Sequence, residues 1–377
     1  MAEVQRRGKT TTRASRAQPG TTRVGLVLGA GGILGGAWIV GGLYALASET
    51  GWDPGSAEYL VGTSAGAMTA ALLGAGVPPW FMVAHSAGEP AAVASDGGGD
   101  SERATRSAGA VFKLHAGAPA LGPGSWRLAL ASLARPYRYS PAAILAGWLP
   151  QGLVSTAPLK ETIRRVAGDG WPPHPNLWIM ACEHDTGRRV AFGRDDAPGA
   201  SLADAVAASC AIPGFYRPVQ IAGRGYVDGG VASTSNLDVL ADRGLDLVIC
   251  LNPTSSLHAP QPRTLAERAA GALRQASGRR LGSEAKRVRA SGTEVVLIQP
   301  TIQDLDAMGT NLMNASRRHE VIEIAARTVA RHLRDRDLRA RLRDLPAGEP
   351  RLVRRPAGRL AEAPDFALLA RERWVAS

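Results

Sequence analysis

Short apolar runs that stop abruptly at glycine predict the first buried strands of this chain. The first run is Val24–Leu28 and the second is 59–61, and glycine follows each of them directly. Continuous apolar runs of this length are typical of strands buried on both faces, as in parallel sheets. After each strand, small and apolar residues predict a helix, over 33–48 and over 67–74.

The same alternation returns in the second half of the chain and sets the expected fold class. Further strands are predicted at 177–182, 189–192, 219–221, 226–227, 245–251 and 294–298. A turn at 223–225 would join two of them into a hairpin, and helices are predicted at 202–211, 262–290 and 316–344. Strands that alternate with helices predict an α/β fold with a largely parallel sheet and helices on both faces.

The region 85–150 departs from this pattern. It is rich in glycine, proline and alanine, with a flexible loop predicted at 96–100 and apolar patches at 126–133 and 144–149. We interpret it as a candidate cap over a site, with a packed surface insertion as the alternative. The predicted organisation is a tail at 1–22, a folded domain at 23–300 and an Arg-rich helical extension at 301–377.

Charge and cysteine content indicate which partners and which cellular compartment to expect. The net charge is +11, and the first 23 residues carry six basic side chains against one acid, which predicts a disordered basic tail. Such tails contact nucleic acid or anionic lipid. The tail has no apolar core of a signal peptide, and no apolar run of about 18 residues predicts a membrane-spanning helix. Three scattered cysteines favour a reducing compartment, so we expect a cytoplasmic protein. No carboxylate or cysteine cluster has the spacing of metal ligands, so we expect no metal, and no cofactor is expected.

A serine stands at the sharpest predicted turn, in Gly62-Thr63-Ser64-Ala65-Gly66. A nucleophile between a strand and a helix sits in strained backbone, so the residues two positions away on each side must be small. The serine would project at the helix N-terminus, where backbone N–H groups favour developing negative charge. This context predicts that Ser64 is a nucleophile.

A glycine loop, Gly29-Ala30-Gly31-Gly32, follows the first strand. Backbone without Cβ atoms can direct its N–H groups at an oxyanion, so Gly29, Gly31 and Gly32 are candidate oxyanion-hole residues. A dinucleotide-binding loop is the rival interpretation. Its spacing fails at Leu34, and the second strand ends in Gly62 rather than in the acid that such a fold needs.

Asp228-Gly229-Gly230 follows the predicted hairpin. A carboxylate at a strand end with two glycines behind it can approach another turn closely. Alone, the tripeptide is most often a plain β-turn. In company with Ser64 it becomes a candidate catalytic base.

Together these motifs resemble the patatin-like phospholipase family, which combines a glycine-rich oxyanion loop, G-x-S-x-G and D-G-G/A. The stretch 208–215 and its continuation to 226–230 are similar too. The resemblance implies a three-layer α/β/α fold and a Ser–Asp dyad acting on lipid acyl esters. Separately, the charge of the basic tail and of the Arg-rich helices predicts peripheral contact with an anionic membrane, and no contact with nucleic acid is expected. The oligomeric state stays open. Leu34 stands where the family commonly has Arg or Lys, so contact of this loop with an anionic headgroup is in doubt.

Histidine has no role in such a dyad, and none of the seven histidines has a local catalytic signature. A Ser–His–Asp triad with His258 or His319 nevertheless stays open, because triads are recognised by geometry. Two further classes of protein also stay open: a nucleotide-binding protein that uses the glycine loop, and a catalytically silent lipid-binding module. The basic residues near the end of the predicted helix 262–290 form either a solvated face or a lipid contact.

Overall fold

The structure is a computed structural model that describes residues 22–86, 123–135, 139, 141–150, 152–258, 262 and 264–355. Apart from Thr22, the predicted basic tail lies outside the described residues. The glycine-rich stretch 97–99 of the predicted cap also lies outside them, as does the C-terminal end of the predicted extension.

Within the described residues, eight strands form one sheet. They are β1 (Val24–Leu28), β2 (Tyr59–Thr63), β3 (Leu177–Glu183), β4 (Arg189–Phe192), β5 (Val219–Ile221), β6 (Arg224–Asp228), β7 (Leu247–Leu251) and β8 (Glu294–Ile298). The strands pair in the series β5-β6-β3-β2-β1-β7-β8, in which β6 and β2 pair with successive parts of β3, and β4 also pairs with β3. Strands β1, β2, β3, β7 and β8 pair in parallel, while β4, β5 and β6 are antiparallel additions. The predicted mostly parallel sheet is confirmed.

Helices cover both faces of the sheet. Those of the described residues are α1 (Gly32–Thr50), α2 (Ala65–Gly74), α3 (Pro79–Ser86), α4 (Trp126–Ala134), α5 (Pro141–Trp148), α6 (Ala157–Ala167), α7 (Leu202–Ser209), α8 (Leu265–Ala290), α9 (Ile302–Met308), α10 (Arg318–Leu333), α11 (Arg336–Leu342) and α12 (Pro350–Val353). No helix among these is both long enough and apolar enough to cross a bilayer.

Alternate residues of each central strand serve two separate cores, because successive side chains of a strand point to opposite faces. Leu26 and Leu60 join a core with residues of α1, α2, α7 and α10. Val27 and Val61 join a second core with residues of α8. The result is the three-layer α/β/α arrangement.

Some element ends differ from the prediction. Helix α8 begins at Leu265 rather than 262, because Thr264 and Glu267 form a reciprocal capping box. The helix predicted over 316–344 is divided into α10 and α11, since the Asp335 carboxylate caps a new helix start. The hairpin turn lies at Ala222 and Gly223, both at positive φ, so residues 224 and 225 belong to β6.

The described part of the predicted extension completes the first core. Residues Val321, Ile322 and Ala325 of α10 belong to the same buried cluster as the side chains of α1. The two helices approach closely at Gly41, where an added Cβ would lie 2.4 Å from the carbonyl oxygen of Ile322. Residues beyond 300 therefore hold the helix that follows the glycine loop.

The basic residues of α8 are largely engaged within the protein. Arg280 pairs with Glu284 of the same helix, Arg287 pairs with Asp238, and Arg289 donates to the carbonyl of Val295. These bonds occupy part of the face that we considered for lipid contact.

Candidate active site

The turn from β2 to α2 holds Ser64 in strained backbone. Ser64 has φ 55° and ψ −119°, a conformation that side-chain-bearing residues adopt at a cost of about 1–3 kcal/mol. Its glycine neighbours permit this turn: a Cβ on Gly66 would lie 2.1 Å from the carbonyl oxygen of Leu28, and one on Gly62 would lie 2.5 Å from the Cα of Ala67. The turn therefore has the form of a nucleophile elbow.

Ser209, at the end of α7, supports this turn from behind. The backbone N–H of Ser64 donates to Ser209 Oγ at 2.8 Å. Ser209 Oγ in turn donates to the carbonyl of Met180 at 2.6 Å. The thiol of Cys210 donates to the carbonyl of Ser64 at 3.3 Å. Both backbone polar groups of Ser64 are thus tied to the segment 209–210.

The sheet register brings Asp228 to Ser64. Met180 of β3 pairs with Thr63 of β2, and the next residue, Ala181, pairs with Asp228 of β6. Met180 and Ala181 both also pair with β4, so β4 takes one edge of β3 while β2 and β6 share the other. The ends of β2 and β6 therefore meet head-on along one edge, with Ser64 and Asp228 at the meeting point.

Asp228 is a buried carboxylate with few compensating contacts. Burial raises its pKa to about 6, whereas hydrogen bonds from the Ser64 side chain and the Gly230 amide lower it. The Gly230 N–H donates to Asp228 Oδ1 at 2.7 Å. Gly229 allows the chain to turn here, since a Cβ at that position would lie 2.4 Å from the carbonyl oxygen of Met180. A base whose pKa lies near neutrality suits proton abstraction at physiological pH.

The glycine loop lies against the Asp228 turn: a Cβ added to Gly230 would lie 3.5 Å from that of Ala30. The amide of Gly29 donates to the carbonyl of Leu251 at 2.9 Å, so this N–H belongs to the sheet and is not free for an oxyanion. The amides of Gly31 and Gly32 have no acceptor within the described part of the chain. Gly32 stands at φ 60° at the start of α1, where N–H groups are unsatisfied.

The histidines of the alternative triad lie in other settings. His258 is exposed, and His319 pairs with Glu323 along α10. Among the described residues, the hydrogen-bond partners of the Asp228 carboxylate are Ser64 and Gly230. The site as described thus brings a serine to a carboxylate without an intervening imidazole.

Two contributors to this site were not predicted from the sequence. Ser209 lies in the stretch 208–215, whose similarity to the family was noted from the sequence, but the sequence did not indicate what Ser209 does. Leu312 lies far along the chain; its carbonyl accepts the amide of Leu34 at 2.9 Å and lies beside Gly32. No local pattern marks residue 312, because its role depends on the packing of the C-terminal helices.

The fold and site define a class: a three-layer α/β/α protein with a serine on a strained strand–helix turn beside a buried carboxylate and a glycine loop. The comparison with known families agrees. The model of the patatin-like phospholipase family matches residues 26–241, and the chain belongs to this family. Membership supports lipid acyl hydrolysis as the general activity, with a lipid ester as the class of substrate.

Proposed function

We propose that the protein hydrolyses lipid acyl esters through an acyl-enzyme on Ser64, with Asp228 as the base. The observation that carries the proposal is the sheet register, which sets a strained Ser64 beside a buried carboxylate whose pKa is raised to about 6. Raised pKa values of this kind are typical of catalytic groups.

In the proposed reaction, Asp228 accepts the Ser64 Oγ proton while Oγ attacks the ester carbonyl carbon. The amides of Gly31 and Gly32 donate to the tetrahedral oxyanion, and each such donor is worth about 3 kcal/mol. Collapse of this intermediate breaks the ester C–O bond, and the leaving alcohol takes the proton from Asp228. Water then attacks the acyl-enzyme and gives its proton to Asp228. As the bond from the acyl carbon to Ser64 Oγ breaks, Asp228 returns this proton to Oγ, and the fatty acid is released.

The contacts of the site weigh against the rival functions. A nucleotide-binding protein would use the glycine loop for phosphate, yet the loop is packed against the Asp228 turn and the amide of Gly29 is already bonded. A Ser–His–Asp triad lacks a histidine beside Asp228 among the described residues. A strained serine and a buried carboxylate both cost stability. A catalytically silent lipid-binding module would have no functional need for either of them.

The test is ester hydrolysis together with active-site labelling. We expect Ser64→Ala and Asp228→Asn each to lower kcat for short p-nitrophenyl esters about a thousandfold or more. Ser64→Ala should also abolish covalent labelling by a fluorophosphonate probe, because the probe bonds to the serine oxygen. Circular dichroism should show an intact fold in both variants.

The histidine variants serve as controls. His258→Gln and His319→Gln should keep activity within about tenfold of the wild type, since neither moves a proton in the proposed reaction. Activity that survives in Ser64→Ala would contradict the nucleophile. A His258→Gln or His319→Gln protein as inactive as Ser64→Ala would favour the triad.

A further inference from the structure

A pocket rich in arginine lies away from the proposed active site. It has a volume of about 460 Å³ and is bounded by β4, the segment 194–198, the segment 238–243 and Arg287 of α8. The side chain of Met180 lines it and belongs to the core on the α8 face, whereas α2 packs on the opposite face. A volume of this size matches small-molecule sites.

The charges that line this pocket do not cancel. Five arginines and three aspartates line it, which leaves an excess of two positive charges. The arginines are Arg188, Arg189, Arg194, Arg243 and Arg287. Two of them, Arg189 and Arg287, share the buried carboxylate of Asp238 and serve the structure. This cluster carries one unit of the excess, and Arg188, Arg194 and Arg243, counted against Asp196 and Asp242, carry the other.

Two of these remaining groups are held by an aromatic ring. Arg243 and Arg194 both lie over the indole of Trp178, at 5.0 Å and 5.3 Å from the ring centroid. A cation–π contact positions a guanidinium without neutralising its charge. Both guanidinium groups line the pocket, so an anion bound there would lie near two positive charges.

The guanidinium group of Arg243 has a donor without a hydrogen-bond partner among the described residues. Its Nε is buried and has no partner, and its guanidinium makes no ion pair with any described residue. Arg194 pairs with Asp196, whose side chain is 71% exposed, so that this bond is open to competition. Buried donors in native proteins normally have partners, so the unpaired Nε marks Arg243 as a side chain whose hydrogen bonds the described residues do not satisfy.

We propose that this pocket binds a phosphate-bearing anion, with Arg243 and Arg194 as its main contacts. Guanidinium groups match phosphate oxygens in paired, parallel hydrogen bonds. The pocket shares no residue with Ser64, Asp228 or the glycine loop. The proposed site is therefore separate from ester hydrolysis and stands whether or not the protein is a hydrolase.

The test is calorimetric titration of the full-length protein with inorganic pyrophosphate at low ionic strength. We expect saturable binding to the wild type, and a dissociation constant about tenfold or more weaker in Arg243→Gln and in Arg194→Gln. The matched control is Arg165→Gln, which removes the same charge from an exposed ion pair on α6. It should bind pyrophosphate as the wild type does.

Vesicle flotation distinguishes a free anion from a lipid headgroup. Loss of binding to phosphatidic acid vesicles in Arg243→Gln, with binding kept in Arg165→Gln, would assign the pocket to a headgroup. A defect confined to pyrophosphate would assign it to a soluble phosphate compound. The proposal is overturned if the wild type shows no saturable binding, or if both pocket variants bind both probes as Arg165→Gln does.

Discussion

At the scale of single residues, two groups of the candidate site lower the stability of the folded protein. Ser64 keeps a backbone conformation that costs free energy, and Asp228 keeps a carboxylate out of water. Neither arrangement would persist unless the surrounding structure enforced it. The Asp228 carboxylate gives this loss of stability a measurable signature, because its ionisation couples folding to pH.

We expect the wild type to lose stability relative to Asp228→Asn as the pH rises. The pKa of Asp228 is raised from 3.8 to about 6 by burial, so the folded state holds the proton more tightly than the unfolded state. The stabilisation is complete below pH 3.8 and is lost as the pH rises through about 6. The difference corresponds to about 3 kcal/mol in the free energy of unfolding.

Urea unfolding of both proteins between about pH 4 and about pH 7 measures this difference. Asparagine cannot ionise, and all other titrations are common to the two proteins, so they cancel in the comparison. In the same range, kcat/KM of the wild type should rise with pH as the base loses its proton, with half of its maximum near the pKa of Asp228. A stability difference that does not change with pH would contradict the raised pKa.

At the scale of elements, strand β3 aligns the site. Strands β2 and β6 lie end to end along one edge of β3. The carbonyl of Met180 in β3 accepts a hydrogen bond from the hydroxyl of Ser209. A second connection reaches β2, the strand that precedes Ser64, from the α8 side, where the Asn236 amide donates to Thr63 Oγ1 at 2.9 Å. The elbow is thus fixed from both faces of the sheet.

Ser209 should act as a positioning residue for the nucleophile. Ser209→Ala removes the acceptor of the Ser64 amide, which is buried and finds no replacement. We expect kcat for short esters and the rate of fluorophosphonate labelling to fall about tenfold to a hundredfold, with KM nearly unchanged. Ser209→Thr, which keeps the hydroxyl, should restore part of the rate.

The matched control is Thr293→Val. Thr293 is buried, and its hydroxyl also donates to a backbone carbonyl, that of Leu245, at 2.9 Å. It precedes β8 and so lies at the sheet edge opposite the site. Both substitutions should lower stability, but only Ser209→Ala should slow labelling. Equal labelling rates of the Ser209→Ala and Thr293→Val proteins at saturating probe would show that Ser209 has a structural role only.

The sequence predicted what depends on local pattern. Apolar runs located the strands, and glycine spacing located Ser64 and Asp228. Long-range packing was not predictable: Ser209 meets Ser64 across 145 positions, and Leu312 meets the glycine loop only through the packing of α10. The start of α8 could have been found, because Thr264-x-x-Glu267 is a readable capping box.

At the scale of the whole molecule, α4 and α5 form a pair beside the site. Ala143 and Ala146 of α5 pack against Val227 and Val231, which flank the Asp228 turn. Leu128 was expected among the apolar surface of the cap, but it is buried inside the pair. The exposed apolar side chains of the pair are Trp126, Leu130, Leu133, Leu145 and Trp148.

This exposed surface belongs to a helix pair that packs beside the Asp228 turn and could serve as an apolar wall for a substrate. Trp148 is 41% exposed, and Leu149 beside it contacts the Gly214 turn that follows the Cys210 segment. An acyl chain attached to Ser64 needs apolar surface, and contiguous exposed apolar groups commonly mark binding surfaces. We therefore expect the α4–α5 pair to govern selection of chain length rather than the chemical step.

Trp148→Ala should impair long-chain esters more than acetate, because only the longer chain reaches the wall. Each methylene group that loses contact is worth about 0.8 kcal/mol, so the loss in kcat/KM should grow with chain length. The measurement is kcat/KM for p-nitrophenyl esters from acetate to palmitate in both proteins. Leu273→Ala, which removes a side chain 72% exposed on α8, is the control and should leave the series unchanged. Equal losses at every chain length in Trp148→Ala would instead assign the α4–α5 pair to packing.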